Sequence, residues 1–225
     1  MWSLALRSSD LESVFRERGF GVIDGALEAA EAERIGEEIA ASESAFKLVA
    51  RTGVHPQRLV FDKPLSGARL EVLEAQLAVA QQAGLLTSLH ELWEPPEGDR
   101  AISRLFAHLR SVHTLAWIET ITSVAVDECQ VRAVTRFRRG HYVDPHSDRL
   151  VKFGKRRRIA FVLFFSQGES GNLVLLRLDG ETEASIEPRF NRLALLDVDR
   201  IHQHCVPKVL VDDSKRLAIP GFFCS

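Results

Sequence analysis

The second half of the chain most constrains what it can fold into. From about Val124 onward, short apolar runs follow one another: CQVRAVTRF, RRIAFVLFF, NLVLLRL, ASIEP, RLALLDV, VPKVLV and RLAIPGFF. Gly, Asp, Ser, Asn or Pro punctuates them. Runs of that length with turn chemistry between them predict many short strands, closed into a sandwich, barrel or jelly roll. The first half has a different texture. LESVFRERGF, from Leu11, predicts a short amphipathic helix, and GVID, from Gly21, a strand. LEAAEAERIGEEIAAS predicts a helix for which Asp24 is the candidate cap. RLVFDKPLSG carries loop signals. LEVLEAQLAVAQQAGLLTSLHELW predicts a long helical stretch interrupted near Gly84, PPEGD a break, and SRLFAHLRSVHTLAWIETITS a further helix or helix pair. The expected fold class is α+β with a mainly β core. It is a double-stranded β-helix (jelly roll, cupin-like) with N-terminal helices packed against the sheet. One domain is expected over residues 1–225, mostly helical over 1–123 and jelly-roll over 124–225, because no linker-like composition divides the chain.

Within the β half, GHYVDPHSD crowds His141, Asp144, His146 and Asp148 into nine residues. In a strand, residues two apart share a face, so His146 and Asp148 converge on one point if the segment is extended. On a helix they would lie about 200° apart. Pro145 bars a helix interior and pushes Asp144 extended. A third ligand then has to come from a distant strand. RIHQHCVPKV offers His202 and His204, separated from Asp148 by about four strand-like runs. Two imidazoles and one carboxylate on one face, with open positions opposite, form the facial triad of non-haem Fe(II) oxygenases. An HxD pair alone is more often a solvated turn. Arg216, in KRLAIPGFF, adds a second signal. An Arg among apolar strand neighbours needs an anionic partner. A bidentate carboxylate is its natural mate, supplied either by a diacid ligand or by Asp212 or Asp213 nearby.

RFRRGHYVDPHSD, RRIAFVLFFS, GNLVLL, IEPRFNRLALLDV, HCVPKV and RLAIPGFF stand in the order of the Fe(II)- and 2-oxoglutarate-dependent oxygenase superfamily. The chain resembles its prolyl 4-hydroxylase-like branch over roughly residues 124–224. The resemblance implies an Fe(II)/2-oxoglutarate-dependent dioxygenase with His146, Asp148 and His204 as catalytic metal ligands. It implies Arg216 as the anchor for the distal carboxylate of 2-oxoglutarate. His204 is preferred because the family pattern H-x-V-x-x-V falls on His204, Val206 and Val209; His202 is the fallback. The implied cofactors are Fe(II), 2-oxoglutarate as cosubstrate and O2. Succinate and CO2 are released as an unactivated C–H bond is hydroxylated.

Three departures from the family pattern bear on the site. Phe137 and Phe164 stand where a Tyr is common, and Phe222 where a Trp is common. Another group must then complete the 2-oxoglutarate pocket, and Tyr142, Gln130 and Thr135 are candidates. Asp148 retains the carboxylate that related halogenases replace with a small residue, so hydroxylation or another oxidation is expected, not halogenation.

Arg136, Arg138, Arg139, Arg149, Lys152, Lys155, Arg156, Arg157 and Arg158 flank the proposed iron site. They suit either an anionic substrate or a solvated strand edge that blocks edge-to-edge pairing. His55, His90, His108 and His113 lie in the helical half, and His108 and His113, five apart and so poorly spaced as helical ligands, read as ordinary surface or core residues. Net charge is −2, which gives no support to nucleic acid as a bulk partner. No apolar run is long enough to span a bilayer and the N-terminus lacks a secretory pattern, so no membrane association is expected. Cys129, Cys205 and Cys224 form an odd set without CxxC spacing, which predicts a reducing, cytoplasmic setting. The helix around Leu70 to Leu92 covers the sheet or forms a homodimer contact. Three functions are compatible with these features: hydroxylation of a small molecule such as an amino acid or biosynthetic intermediate, hydroxylation of a prolyl or other side chain in a protein, or a catalytically silent jelly-roll metal-binding protein.

Overall fold

A computed structural model describes residues 2, 9–53, 57–61, 68–152, 154–166, 170–211 and 216–225. The calls on His55, on the 62–67 loop and on Asp212 and Asp213 lie outside the described residues, as does the side chain of Lys152. The helices are α1 (Ser9–Arg18), α2 (Ala29–Ala41), α3 (Ala68–Gln82), α4 (Ala101–Leu109) and α5 (Val112–Thr122). The strands of the first half are β1 (Phe20–Asp24), β2 (Lys47–Thr52), β3 (Arg58–Phe61) and β4 (Leu86–Trp93). Those of the second half are β5 (Glu128–Val131), β6 (Val134–Phe137), β7 (Tyr142–His146), β8 (Val151–Lys152), β9 (Lys155–Phe164), β10 (Leu173–Leu176), β11 (Thr182–Ile186), β12 (Arg192–Asp197), β13 (Gln203–Val206) and β14 (Arg216–Cys224).

The strands form one antiparallel sheet in the order β1-β12-β9-β14-β6-β4-β7-β13-β10-β11. β2 and its partner β3 extend from β4, while β5 and β8 attach to β14 and β9. The order is far from sequential, as a jelly roll requires, and the sheet curls into a nearly closed barrel. β9 explains why RRIAFVLFF lacks alternation. Ile159, Phe161 and Leu163 pack into the cluster that includes Ile35, Ile102, Leu105 and Ile118 of the helices. Ala160 and Phe164 instead join Leu173, Leu175, Ala194, Leu196 and Ala218 inside the barrel. A strand covered on both faces carries apolar residues at every position.

The helical layer follows its sequence pattern. Leu11 and Phe15 bury one face of α1, and Gly19, at φ +74°, ends it with its amide on the Phe15 carbonyl (2.8 Å). Ala32, Ile35 and Ile39 do the same for α2, and Ile102, Leu105, Phe106 and Leu109 for α4. Ser111 caps α5 by accepting from Thr114 N (3.3 Å).

Four expectations are corrected. Asp24 does not cap α2, which starts after Glu28. Its carboxylate takes Nε and Nη2 of Arg192 at 2.5 and 2.8 Å, across the β1–β12 pair, because a bidentate cation outcompetes a cap amide. The long helical stretch ends at Gln82, and residues 86–93 form a strand. RLVF, read as loop, is β3, held by its ladder to β2. VPKVLV is not a strand. Pro207 stops the ladder, and Val209 exchanges backbone bonds with Gly140 (2.8 Å) and His141 (2.9 Å) in a turn.

Candidate metal centre

β7 and β13 pair so that His146 lies directly opposite His204. Directly opposed residues share a face, which brings the two imidazoles together from distant parts of the chain. Their ring centroids are 4.3 Å apart. Asp148 follows β7 and completes the group: one ligand atom from each of His146, Asp148 and His204 lies within 4.8 Å of the others. Asp148 Oδ2 is 3.3 Å from His204 Nε2, and its Oδ1 is 3.9 Å from His146 Nε2. His146 Nδ1 is 3.0 Å from the Asp144 carbonyl. Donation to that carbonyl puts the proton on Nδ1 and leaves Nε2 free as a ligand. Burial holds His204 well below the usual imidazole range, at about 4, against the opposing pull of Asp148. It is therefore neutral near pH 7, as a ligand must be. The donor set, two imidazoles and one carboxyl side chain, fits a first-row divalent metal such as Fe(II).

His202 takes no part in this group. It precedes β13 instead of sharing a strand face with His204, and its Nδ1 lies 3.3 Å from Arg149 Nη2.

Arg216 opens β14 on the barrel's interior face, with Ala218. It is 3% exposed, and no carboxylate among the described residues lies within ion-pair distance. Its guanidinium stands 4.7 Å over Phe137 and 5.1 Å over Phe164. Its Nε is buried with no hydrogen-bond partner among the described residues. Desolvation pushes Arg216 down to about 9, and its charge is felt at His204. A buried guanidinium inside an apolar wall, its Nε unmatched among the described residues, calls for an anion. The distal carboxylate of 2-oxoglutarate fits that demand.

The three candidates for completing this pocket have their polar atoms engaged. The Tyr142 hydroxyl donates to the Leu86 carbonyl (2.9 Å), and the ring packs with Leu48, Ala50 and Leu77. Gln130 Nε2 donates to Glu128 (3.2 Å). Thr135, two residues from Phe137 along β6, donates to the Ala218 carbonyl (3.1 Å). Sequence reasoning missed β4's contribution. Extending the β4–β6–β14 register puts His90 beside Phe137, which lies opposite Arg216. The His90 and Phe137 rings stack at 5.5 Å. Burial pushes His90 down to about 3, and its Nδ1 has no partner among the described residues. Apart from the break at Gly84, the sequence carries no local signal for this strand, since Leu86, Leu89, Leu92 and Trp93 fall at helical spacing.

Much of the basic cluster is paired away from the triad. Arg136 and Arg138 share Glu91 and Glu43, Lys155 bonds Asp127 (2.5 Å), and Arg156 bonds Asp199 (2.5 Å). Arg157 turns the other way, with Nη1 3.4 Å from Asp148 Oδ1.

Comparison with known proteins agrees with this geometry. The family model of the 2OG-Fe(II) oxygenase superfamily matches residues 132–224. A Xenopus laevis protein, prolyl 3-hydroxylase OGFOD1, is 26% identical over 149 residues, 60% of this chain and 28% of that protein. The chain thus spans little more than a quarter of that curated relative. A Pseudomonas putida prolyl-4-hydroxylase structure aligns with TM-score 0.62 and 16% identity, covering 95% of this chain and 96% of that one. The non-heme alpha ketoglutarate dependent epimerase SnoN from nogalamycin biosynthesis aligns with TM-score 0.58 and 15% identity, covering 95% and 80%. At those identities the two structures speak for the fold alone.

Proposed function

We propose that the chain, whose residues 132–224 match the family model of the 2OG-Fe(II) oxygenase superfamily, is an enzyme of that superfamily, whose members use Fe(II), 2-oxoglutarate and O2. The chain hydroxylates an unactivated C–H bond of a small, anionic molecule, such as an amino acid or a biosynthetic intermediate, with release of succinate and CO2. His146, Asp148 and His204 would hold the iron, and Arg216 the distal carboxylate of 2-oxoglutarate. When bound, the metal supplies the redox chemistry that activates O2 at the expense of 2-oxoglutarate. The protein's own part is binding and exclusion of water. Neutral His204 offers its ring nitrogen without losing a proton, and Asp148 offsets part of the metal's charge. Phe137 and Phe164, which pack against Arg216, would shield a carboxylate bound there from solvent and so strengthen its pairing.

The observation that carries this reading is the buried guanidinium of Arg216, which has no carboxylate partner among the described residues, beside a complete His-Asp-His group. A merely structural metal site has no use for it. Asp148 fills the position a halide would need, which favours hydroxylation over halogenation. The anionic preference rests on Arg157 beside the triad and on Arg51, whose charge is felt at both His90 and Arg157.

A second reading is hydroxylation of a prolyl side chain in a protein, favoured by the sequence relationship to a prolyl 3-hydroxylase. The test is succinate release from 2-oxoglutarate by purified protein with Fe(II), against a panel of free amino acids and organic acids and a panel of proline-containing peptides. Stimulation by the small acids supports the first reading, and stimulation by peptides alone supports the second. Iron and 2-oxoglutarate binding without turnover on either panel would leave a silent binding protein.

A further inference from the structure

The basic run KRRR at 155–158 enters β9, and only part of it is explained by surface pairing. The β9–β14 register slips where Arg157, not Arg158, comes opposite Cys224. Such an irregularity re-aims a side chain. Arg157 is aimed at the metal centre. Its guanidinium lies 3.5 Å over the ring centroid of Phe222, and its Nη1 is 3.4 Å from Asp148 Oδ1. The other oxygen of that carboxylate, Oδ2, faces His204 Nε2 at 3.3 Å.

We propose that Arg157 is a positioning residue for the metal-binding carboxylate, fixing Asp148 by Oδ1, the oxygen on the His146 side, so that Oδ2 stays presented to His204. The inference rests on the metal site proposed above. A carboxylate held by nothing else swings about its last torsion and shares a cation between both oxygens. A donor fixed on Oδ1 removes that freedom. Phe222 braces the donor: a guanidinium already packed over a ring has less side-chain freedom left to lose when it meets the carboxylate. Outer partners that orient a ligand are worth about ten- to a hundredfold in metal affinity. This also gives Phe222, placed where a Trp is common, a function that a flat aromatic face is enough to serve.

The sign of one measurement separates this role from its rival. A guanidinium that is only a bystander repels a divalent cation, so removing it tightens metal binding. A guanidinium that positions Asp148 weakens metal binding when removed. Metal-free full-length protein is titrated with Co(II), followed by the ion's visible absorption, for wild type, Arg157→Met, Arg157→Lys, Phe222→Leu and, as a site-loss control, His146→Ala. Thermal melts monitor folding. Arg157→Met is expected to bind Co(II) about tenfold more weakly or worse, with an altered absorption spectrum and an unchanged melt. Phe222→Leu, which keeps the charge, should lose affinity in the same direction by less, and Arg157→Lys should recover part of the loss. Equal or tighter binding by Arg157→Met overturns the assignment. If that variant fails to fold, Phe222→Leu decides alone, and wild-type affinity there overturns it. A wild-type chain that binds no Co(II), or binds it as His146→Ala does, overturns the metal site itself and this assignment with it.

Discussion

His146 and His204 face each other directly across the β7–β13 pair, ring centroids 4.3 Å apart and tilted by 55°. Strand pairing alone sets that distance, and Asp148 needs only the two residues after His146 to join them. His146→Ala, Asp148→Ala and His204→Ala should each abolish succinate formation from 2-oxoglutarate and Fe(II). His202→Ala should retain it, since that imidazole turns to Arg149. Full turnover in any of the first three would remove that residue from the ligand set.

Arg216→Ala should act on the cosubstrate and not on the metal. A charge-assisted contact of this kind contributes about 1.5–3 kcal/mol, or roughly ten- to a hundredfold in affinity. The concentration of 2-oxoglutarate giving half-maximal rate should rise by that factor, while Co(II) affinity stays near wild type. An unchanged requirement would reassign the carboxylate anchor.

His90 makes the metal-free fold sensitive to acid. Its folded pKa, about 3, lies below its ordinary value of 6.5, so between these values the unfolded chain binds more protons. Its contribution is complete above pH 6.5 and is lost as pH falls toward 3, by up to about 1.4 kcal/mol per pH unit. His204, pushed down to about 4, acts in the same direction. Urea midpoints measured from pH 7 to pH 4 should fall more steeply for wild type than for His90→Phe, which keeps the stack on Phe137. Parallel slopes would show that His90 is not held neutral.

Glu91, on β4, is 3% exposed, accepts from Arg138 Nε at 3.0 Å and pairs with the buried Nε of Arg136, whose guanidinium also lies 4.2 Å over Phe46. Glu91→Ala leaves Arg136 charged and under-compensated inside the sheet, which costs about 3–5 kcal/mol. Equilibrium urea unfolding should report a loss of that size. A loss under about 1 kcal/mol would mean that water or Glu43 replaces the partner.

Which β4 residues matter was hidden in the sequence for a physical reason. Leu86, Leu89, Leu92 and Trp93 fall at helical spacing, and the preceding stretch is a true helix. Nothing local separates the two states. Backbone pairing with β2, β6 and β7 decides for a strand, and those partners come from both halves of the chain. That insertion brings His90 beside Phe137 and Glu91 onto Arg136.

By itself the sequence determined what local chemistry can determine. Turn residues at short intervals cut the second half into strands. Pro145 forced extension up to His146, and the His-x-Asp spacing offered Asp148 as its neighbour. The motif order around His204 and Arg216 then named the remaining partners. The tertiary structure decided what depends on register between distant strands. It separated His204 from His202, which lies before β13 starts. It engaged the polar atoms of Tyr142, Gln130 and Thr135 with Leu86, Glu128 and Ala218. It also turned Arg157, one cation in an unremarkable basic run, onto Asp148 and Phe222. Register is a property of pairs of segments, fixed by burial and hydrogen bonding across the sheet, and no single segment carries it.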